Sequence, residues 1–251
     1  MMKEKKIIVI GGSSGIGKAV CEQAYKLGAQ VILTSRSLDK AKTSAEQIGS
    51  LVIGKELDID NEKEVLDFFG SLNEIDHIYI AAGATKLGAV REGTLEENMK
   101  AFDTRILGSL RVVRAAVEKM GNLSSFVFTG GVSTDRPISG AWVSGLATST
   151  AEQLARVLVM EFPHIRFNAV APGWTDTPMW DDILGDSKDE TLKNVADNLP
   201  VKKNSNSRRG RICDYFFDVK QFNNWGSDSC RWWRAFSIVR TLRNIFFNSN
   251  R

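Results

Sequence analysis

Six short apolar runs in the first 200 residues, separated by stretches with helical spacing, constrain this chain more than any other feature. The runs are 7–10 (IIVI), 29–35 (AQVILTS), 51–57 (LVIGKEL), 75–82 (IDHIYIAA), 125–130 (SFVFTG) and 165–171 (IRFNAVA). Residues 18–27, 39–48, 62–69, 95–120 and 140–161 place their apolar side chains at helical intervals. A short run that is apolar throughout predicts a strand covered on both faces, and so a parallel sheet. Strict alternation of strand and helix predicts a doubly wound α/β fold, here as one domain over 1–200. No repeat, low-complexity segment or linker interrupts those residues.

Composition agrees. The 251 residues are 43% hydrophobic and 25% charged, which excludes wholesale disorder, collagen and a disulfide scaffold. No run reaches the ~18 apolar residues of a membrane helix. The apolar run at 7–10 is too short for the core of a signal peptide, so the expected location is the cytoplasm, with no membrane partner. Three cysteines (Cys21, Cys213, Cys230) and two histidines (His77, His164) leave almost no material for a metal site or a Ser-His-Asp triad.

The sequence IIVIGGSSGIGKAV sets Gly11, Gly15 and Gly17 between the first strand and the first helix. The backbone there must turn sharply, approach a pyrophosphate closely and aim helix N-terminal N–H groups at it. A glycine-rich turn without a ligand is the alternative, but the strand before and the helix after favour phosphate binding.

The spacing G-x-x-x-G-x-G resembles that of the short-chain dehydrogenase/reductase family, and further segments between about residues 5 and 200 follow in order. Asp58 in LDID resembles the family's adenine-contacting Asp. The segment AAGA at 81–84 resembles its NNAG, with alanines at 81 and 82 in place of the asparagines. RFNAVAPGWTDTPMW at 166–180 is similar to RVNAVxPGxxxTxM, in which Pro172, Gly173 and Thr177 would flank a nicotinamide. The resemblance implies a Rossmann-like sheet and a nicotinamide dinucleotide held by Gly11, Ser13, Ser14, Gly15, Ile16 and Gly17, then by Asp58, Ala82, Gly83 and the 172–177 segment. At the end of the second strand, Ser35 stands where the family's NAD binders carry Asp, and Arg36 follows. A guanidinium pairs well with a 2′-phosphate, so the cofactor expected is NADP(H) in preference to NAD(H); a solvated loop charge is the alternative.

The family's catalytic Asn, Ser, Tyr and Lys are all replaced. Aligning SGLATSTAEQLAR (144–156) on the family's YxxSKaAxExLxR puts Ser144 at the Tyr and Thr148 at the Lys. The Ser position falls on Gly131 and the Asn position on Arg105. A serine hydroxyl is a far weaker acid than a phenol, and an arginine does not release a proton at working pH. Loss of a positioned general acid costs on the order of 10²–10⁴ in rate. Thr129, Ser133, Asp135 and Ser144 lie in or near the expected pocket, as ligands or as ordinary polar loop and helix residues. Trp174, Met179 and Trp180 occupy the family's substrate lid, where they line an apolar pocket or pack the lid itself. By resemblance, the long helices 95–120 and 140–161 imply a homodimer or homotetramer.

Past residue 201 the composition changes. From Lys202 onward there are 11 Lys or Arg against 3 Asp and no Glu, and three of the six tryptophans. The family's closing strand, TGxxxxVDGG, is not written there. Yet tryptophan has the single codon TGG. Read one nucleotide later, Trp225-Gly226 must begin with a glycine codon, and Trp232-Trp233-Arg234 must give Gly-Gly, at the family's spacing. The intervening residues permit TGVVIVVDGG, with a stop overlying Val239. Lys202-Lys203-Asn204 can be coded as an adenine run, where one base is easily gained. Residues 201–251 are therefore expected to be a frame-shifted tail, with the seventh strand missing or disordered. A basic, aromatic tail otherwise suggests nucleic acid; the shifted frame removes that partner. The expected function is an oxidoreductase acting on a small carbonyl or alcohol. The alternatives are a non-catalytic dinucleotide-binding or sensor protein, or a product unable to complete its sheet.

Overall fold

The computed structural model describes residues 2–83, 85–199, 205–206 and 237–239. Ala84 and most of the 201–251 tail, including Trp225 and the Trp232-Trp233 pair, lie outside the described residues.

Six parallel strands form the sheet: β1 (Lys6–Ile10), β2 (Gln30–Ser35), β3 (Val52–Glu56), β4 (Ile75–Ile80), β5 (Met120–Thr129) and β6 (Arg166–Pro172). Their order is β3-β2-β1-β4-β5-β6. The chain crosses over at β1, which pairs Ile8 with Ile32 on one side and with Ile78 on the other. The doubly wound α/β reading of the sequence holds.

The apolar runs are explained by two cores, one on each face. Ile7 and Val9 point into a cluster with Val20, Ala24, Val31 and Leu33 beneath α1 (Gly15–Lys26) and α2 (Leu38–Ile48). Ile8 and Ile10 point the other way, against Phe69, Val112, Phe126 and Phe128. That second layer is built by α3 (Glu62–Gly70), α4 (Leu95–Asp103), α5 (Ser109–Ala116) and α6 (Trp142–Glu161). Phe126 lies parallel to Phe167, with ring centroids 5.3 Å apart, which seams β5 to β6. Local signals start the helices. Asn61 accepts from the N–H groups of Lys63 and Glu64, and Thr94 and Glu97 form a reciprocal capping box.

Two features depart from the sequence reading. The stretch expected as one helix over 95–120 is broken: a π-helical turn (Thr104–Gly108) separates α4 from α5, and β5 already begins at Met120. The close approach of Gly108 to Ile59, where a Cβ would come 2.7 Å from Cδ1, lets this turn sit down on the core. At the far edge, the parallel seventh strand of the family is not among the described residues. Beside β6 stands a three-residue strand, Ser237–Val239, paired antiparallel with Val170–Pro172. A short two-stranded ribbon joins Thr175–Asp176 to Ser205–Asn206. The segment after β6 continues into α7 (Met179–Leu184) and α8 (Lys188–Asn198). Among the described residues, no helix is long and apolar enough to cross a membrane.

His77 on β4 is buried, with Nδ1 2.9 Å from Ser125 Oγ. Burial, aided by the Arg166 cation, holds its pKa at about 4, below the ordinary 6.5. The unfolded chain therefore takes up the proton first as pH falls, and the stability this imidazole contributes is fully present only above pH 6.5. Between pH 6.5 and 4 the unfolding free energy should fall by roughly 3 kcal/mol on this account. Urea titrations across that range should show a flatter pH dependence in His77→Gln than in the parent chain.

Candidate active site

The crossover at β1 opens a cleft of about 280 Å³ at the C-terminal ends of the strands. One wall is the loop entering α1. Gly11 and Gly15 take left-handed φ values of 80° and 53°, which glycine adopts without strain. A Cβ on Gly17 would lie 2.2 Å from the Gly11 carbonyl oxygen, so the helix can start this close to the strand only with glycine there. Ser14, the N-cap of α1, makes no side-chain capping hydrogen bond, and Ser14, Gly15, Ile16 and Gly17 line the cleft. An uncapped helix N-terminus thus faces the cavity.

The opposite wall comes from Pro172, Gly173 and Thr177. A Cβ on Gly15 would touch Thr177 at 3.3 Å, so the two walls meet across the mouth. Trp174 and Trp180 stack with centroids 4.5 Å apart, and Trp180 Nε1 donates to the Thr175 carbonyl at 3.0 Å. Lys188 bridges Asp176 and Asp181 at 3.2 and 2.8 Å, tying α8 to the start of α7. Trp174, Met179 and Trp180 all line the cleft, so the apolar pocket and the packing of this segment are one structure.

The four positions aligned with the catalytic tetrad, Arg105, Gly131, Ser144 and Thr148, come together in the cleft. Their chemistry is different from a proton relay. Thr148 Oγ1 donates to the Ser144 carbonyl at 2.8 Å and lies 2.9 Å from Ser133 Oγ. Thr134 Oγ1 donates to Glu152 Oε1 at 2.8 Å. Ser144 Oγ donates to the Lys86 carbonyl at 3.3 Å. A Cβ on Gly131 would lie 2.9 Å from Thr148 Cγ2, so the missing serine side chain has no room beside Thr148.

Arg105 projects from the π-helical turn, a device common at functional sites. It is 7% exposed. Nη1 donates to the Thr129 carbonyl at 2.5 Å, and Nε is buried with no partner among the described residues. Desolvation lowers its pKa from the ordinary arginine value, opposed by the neighbouring Tyr79. Gly83 makes space for the guanidinium, since a Cβ there would be 2.9 Å from Cζ and from Nη2.

Other predicted residues lie outside the cleft lining. Ser13 accepts from Ser44 Oγ through its carbonyl at 2.8 Å. Arg36 is exposed beyond β2. Asp58 Oδ1 accepts from the Asp60 N–H at 3.0 Å. Ala82 N donates to the Ile10 carbonyl at 3.0 Å, which places Gly83 at the cavity. The sequence reading gave no place in the site to Tyr79, which lines the cleft with its hydroxyl 2.9 Å from Thr129 Oγ1. Thr129 Oγ1 also donates to the Ile80 carbonyl at 2.8 Å, so the threonine sits between the phenol and the β4 backbone. Its place at the end of an apolar strand concealed it.

Comparison with known proteins agrees with this geometry. The chain matches the family model described as enoyl-(acyl carrier protein) reductase over residues 11–209. It is 30% identical over 208 residues to the human 3-oxoacyl-[acyl-carrier-protein] reductase, covering 79% of this chain and 84% of that protein. A short-chain dehydrogenase/reductase of Stachybotrys chlorohalonatus is 29% identical over 196 residues, covering 71% and 77%. The chain belongs to the short-chain dehydrogenase/reductase family. A solved structure of a short chain dehydrogenase/reductase family protein superposes with a TM-score of 0.75 at 25% identity, covering 82% of this chain and 86% of that one. Levodione reductase, at 20% identity, shares the fold with a TM-score of 0.78 over 85% and 89% of the two chains.

Members of this family of oxidoreductases bind nicotinamide dinucleotides. The residues present fit one: a glycine loop that no side chain fills, an uncapped helix N-terminus, and the Pro172–Gly173 turn opposite. Gly17→Ala forces the added methyl against the Gly11 carbonyl, which must shift and carry the loop with it. Equilibrium titration should show dinucleotide affinity at least about tenfold weaker than in the parent short-chain dehydrogenase/reductase.

Proposed function

We propose that this short-chain dehydrogenase/reductase is a cytoplasmic, homo-oligomeric, NADP(H)-dependent oxidoreductase acting on a small carbonyl or alcohol. The observation that carries the cofactor choice is the exposed Arg36 directly after Ser35, with no carboxylate at the end of β2 to repel a 2′-phosphate. Gly11, Ser13, Ser14, Gly15, Ile16 and Gly17 would hold the pyrophosphate. Asp58, Ala82 and Gly83 would border the adenosine and ribose, and Pro172, Gly173 and Thr177 the nicotinamide. When bound, the nicotinamide gives or takes the hydride. The chain's own contribution is to orient it between two walls and to exclude water with Trp174, Met179 and Trp180.

NADPH should bind more tightly than NADH, and Arg36→Asp should reverse the order. Equal affinities in the parent protein, measured by fluorescence titration, would remove the claim. Ser144 and Thr148 are bonded to backbone carbonyls and carry no acidic proton, so Ser144→Ala and Thr148→Ala should each lower turnover less than ~10-fold. A thousandfold loss at Ser144 would show that it is the acid.

The second reading is a non-catalytic dinucleotide-binding or sensor protein, favoured by the replacement of all four tetrad residues, Arg105, Gly131, Ser144 and Thr148. NADPH oxidation over a carbonyl panel separates the two, since binding without turnover selects the sensor.

We further infer that residues after about Lys203 are read in a shifted frame. The tryptophan codons support it, because they compel glycines at the family's spacing in the neighbouring frame. Removing one adenine near that codon should restore the closing strand in parallel orientation. The repaired chain should melt higher, with a larger NADPH-induced rise in midpoint, because a ligand that binds only the folded state raises it. Cooperative melting of the 251-residue chain with the same NADPH shift would show that the tail as written is a structural element.

A further inference from the structure

The cleft holds a cation that no carboxylate among the described lining residues neutralises. Arg105 is almost wholly buried, and its one hydrogen bond among the described residues goes to a neutral carbonyl. Its Nε is buried and finds no acceptor among the described residues. The described residues lining the cleft include two arginines, Arg105 and Arg136, and no aspartate or glutamate. The nearest buried carboxylate, Glu152, accepts from Thr134 behind the Gly130–Gly131 turn and is not part of the lining. A guanidinium keeps its charge in protein interiors and pairs two N–H groups with the two oxygens of a carboxylate. Such a group, buried and left open on a cavity, is a receptor for an anion that arrives from outside.

The position is specific. The π-helical turn sets Arg105 beneath Gly83 and Thr129, at the ends of β4 and β5, whereas the phosphate-binding wall is the N-terminus of α1 after β1. Gly83 lacks the Cβ that would collide with Nη2, so the guanidinium lies flat against the backbone there. The Trp174–Trp180 stack lines the same cleft, an apolar surface suited to the carbon body of a small molecule.

We propose that Arg105 binds the carboxylate of the substrate, so that this short-chain dehydrogenase/reductase acts on an oxo acid or hydroxy acid and not on a neutral ketone or alcohol. The proposal rests on the oxidoreductase reading for the reaction, but the anion site itself does not require turnover. Arg105 is here a binding residue, with Tyr79 and Thr129 holding the carbonyl that fixes its Nη1.

Benzoate and its neutral isostere benzamide test the site by calorimetric titration of the full 251-residue chain, with and without saturating NADP⁺. Benzoate should bind at least about tenfold more tightly than benzamide. The preference should vanish in Arg105→Met and persist in part in Arg105→Lys. NADPH affinity should change less than about threefold in both, because the pyrophosphate wall is elsewhere. Equal benzoate and benzamide affinities in the parent chain, or a preference that survives in Arg105→Met, would overturn the proposal. If Arg105→Met lacks a thermal transition, the parent comparison together with Arg105→Lys decides. A large loss of NADPH affinity in Arg105→Met, with benzoate no better than benzamide in the parent chain, would assign the arginine to the dinucleotide. Benzoate binding without any NADPH binding would sink the oxidoreductase reading while leaving the anion site standing.

Discussion

Everything in the site hangs from the hydrogen bonding of β1. Its backbone is paired on both edges, by β2 and by β4, and both its faces are buried. No water can reach its amides, so the chain leaving Ile10 must find partners at once. It does so within two residues: Gly11 and Gly12 donate to the Thr34 carbonyl at 3.1 and 2.9 Å. The Ile10 carbonyl in turn accepts from Ala81 and Ala82 at 2.8 and 3.0 Å. These bonds fix the glycine loop and the Gly83 turn relative to each other before any side chain is considered. The crossover then sends neighbouring connections to opposite faces, and a cleft remains between them.

That backbone logic was legible in the sequence. Continuous apolar runs such as 7–10 can serve only a strand with two cores, and the structure sends alternate residues of β1 into each. The glycine loop was legible because its spacing admits no side chain at Gly17. What stayed hidden has a common cause. The π turn at Thr104–Gly108 leaves helical periodicity almost intact, since one extra residue rotates the apolar face without erasing it. The sequence places Arg105 at the tetrad's Asn position but does not show its burial, which depends on the distant Gly83. Tyr79 and His77 sit in an apolar strand, where a phenol or an imidazole looks like filling. The early start of β5 at Met120 escaped notice because residues 121–123 are exposed and lack apolar alternation.

The replaced tetrad has a physical pattern. In the family arrangement, by resemblance, a lysine one helical turn beyond the tyrosine brings a cation to the pocket from α6. Here α6 offers Thr148, bonded back to its own helix, and the cation enters from the π turn instead. On the alignment read from the sequence, a cation stands at position 105 and no phenol stands at position 144. A lysine near a phenol serves a proton. A buried guanidinium on a neutral carbonyl serves a fixed negative charge, because it cannot give up its own proton and gains most from a planar pair of oxygens.

The remaining hydroxyls point to the same division of labour. Ser133, Thr134, Ser144 and Thr148 all lie within hydrogen-bonding distance of protein groups, so none is poised toward the cavity as an acid. Tyr79 is the one phenol lining the cleft among the described residues, and its hydroxyl is hydrogen-bonded to Thr129 Oγ1, which also donates to the Ile80 carbonyl. The Thr129 carbonyl accepts from Arg105. Phenol, threonine and guanidinium thus form one rigid strip along the ends of β4 and β5. Such a strip holds the cation at a set depth, and depth is what a receptor for a small anion needs. On the proposed reading, specificity in this cleft is set by where a negative charge can be buried, and the hydride chemistry falls to the walls that face it.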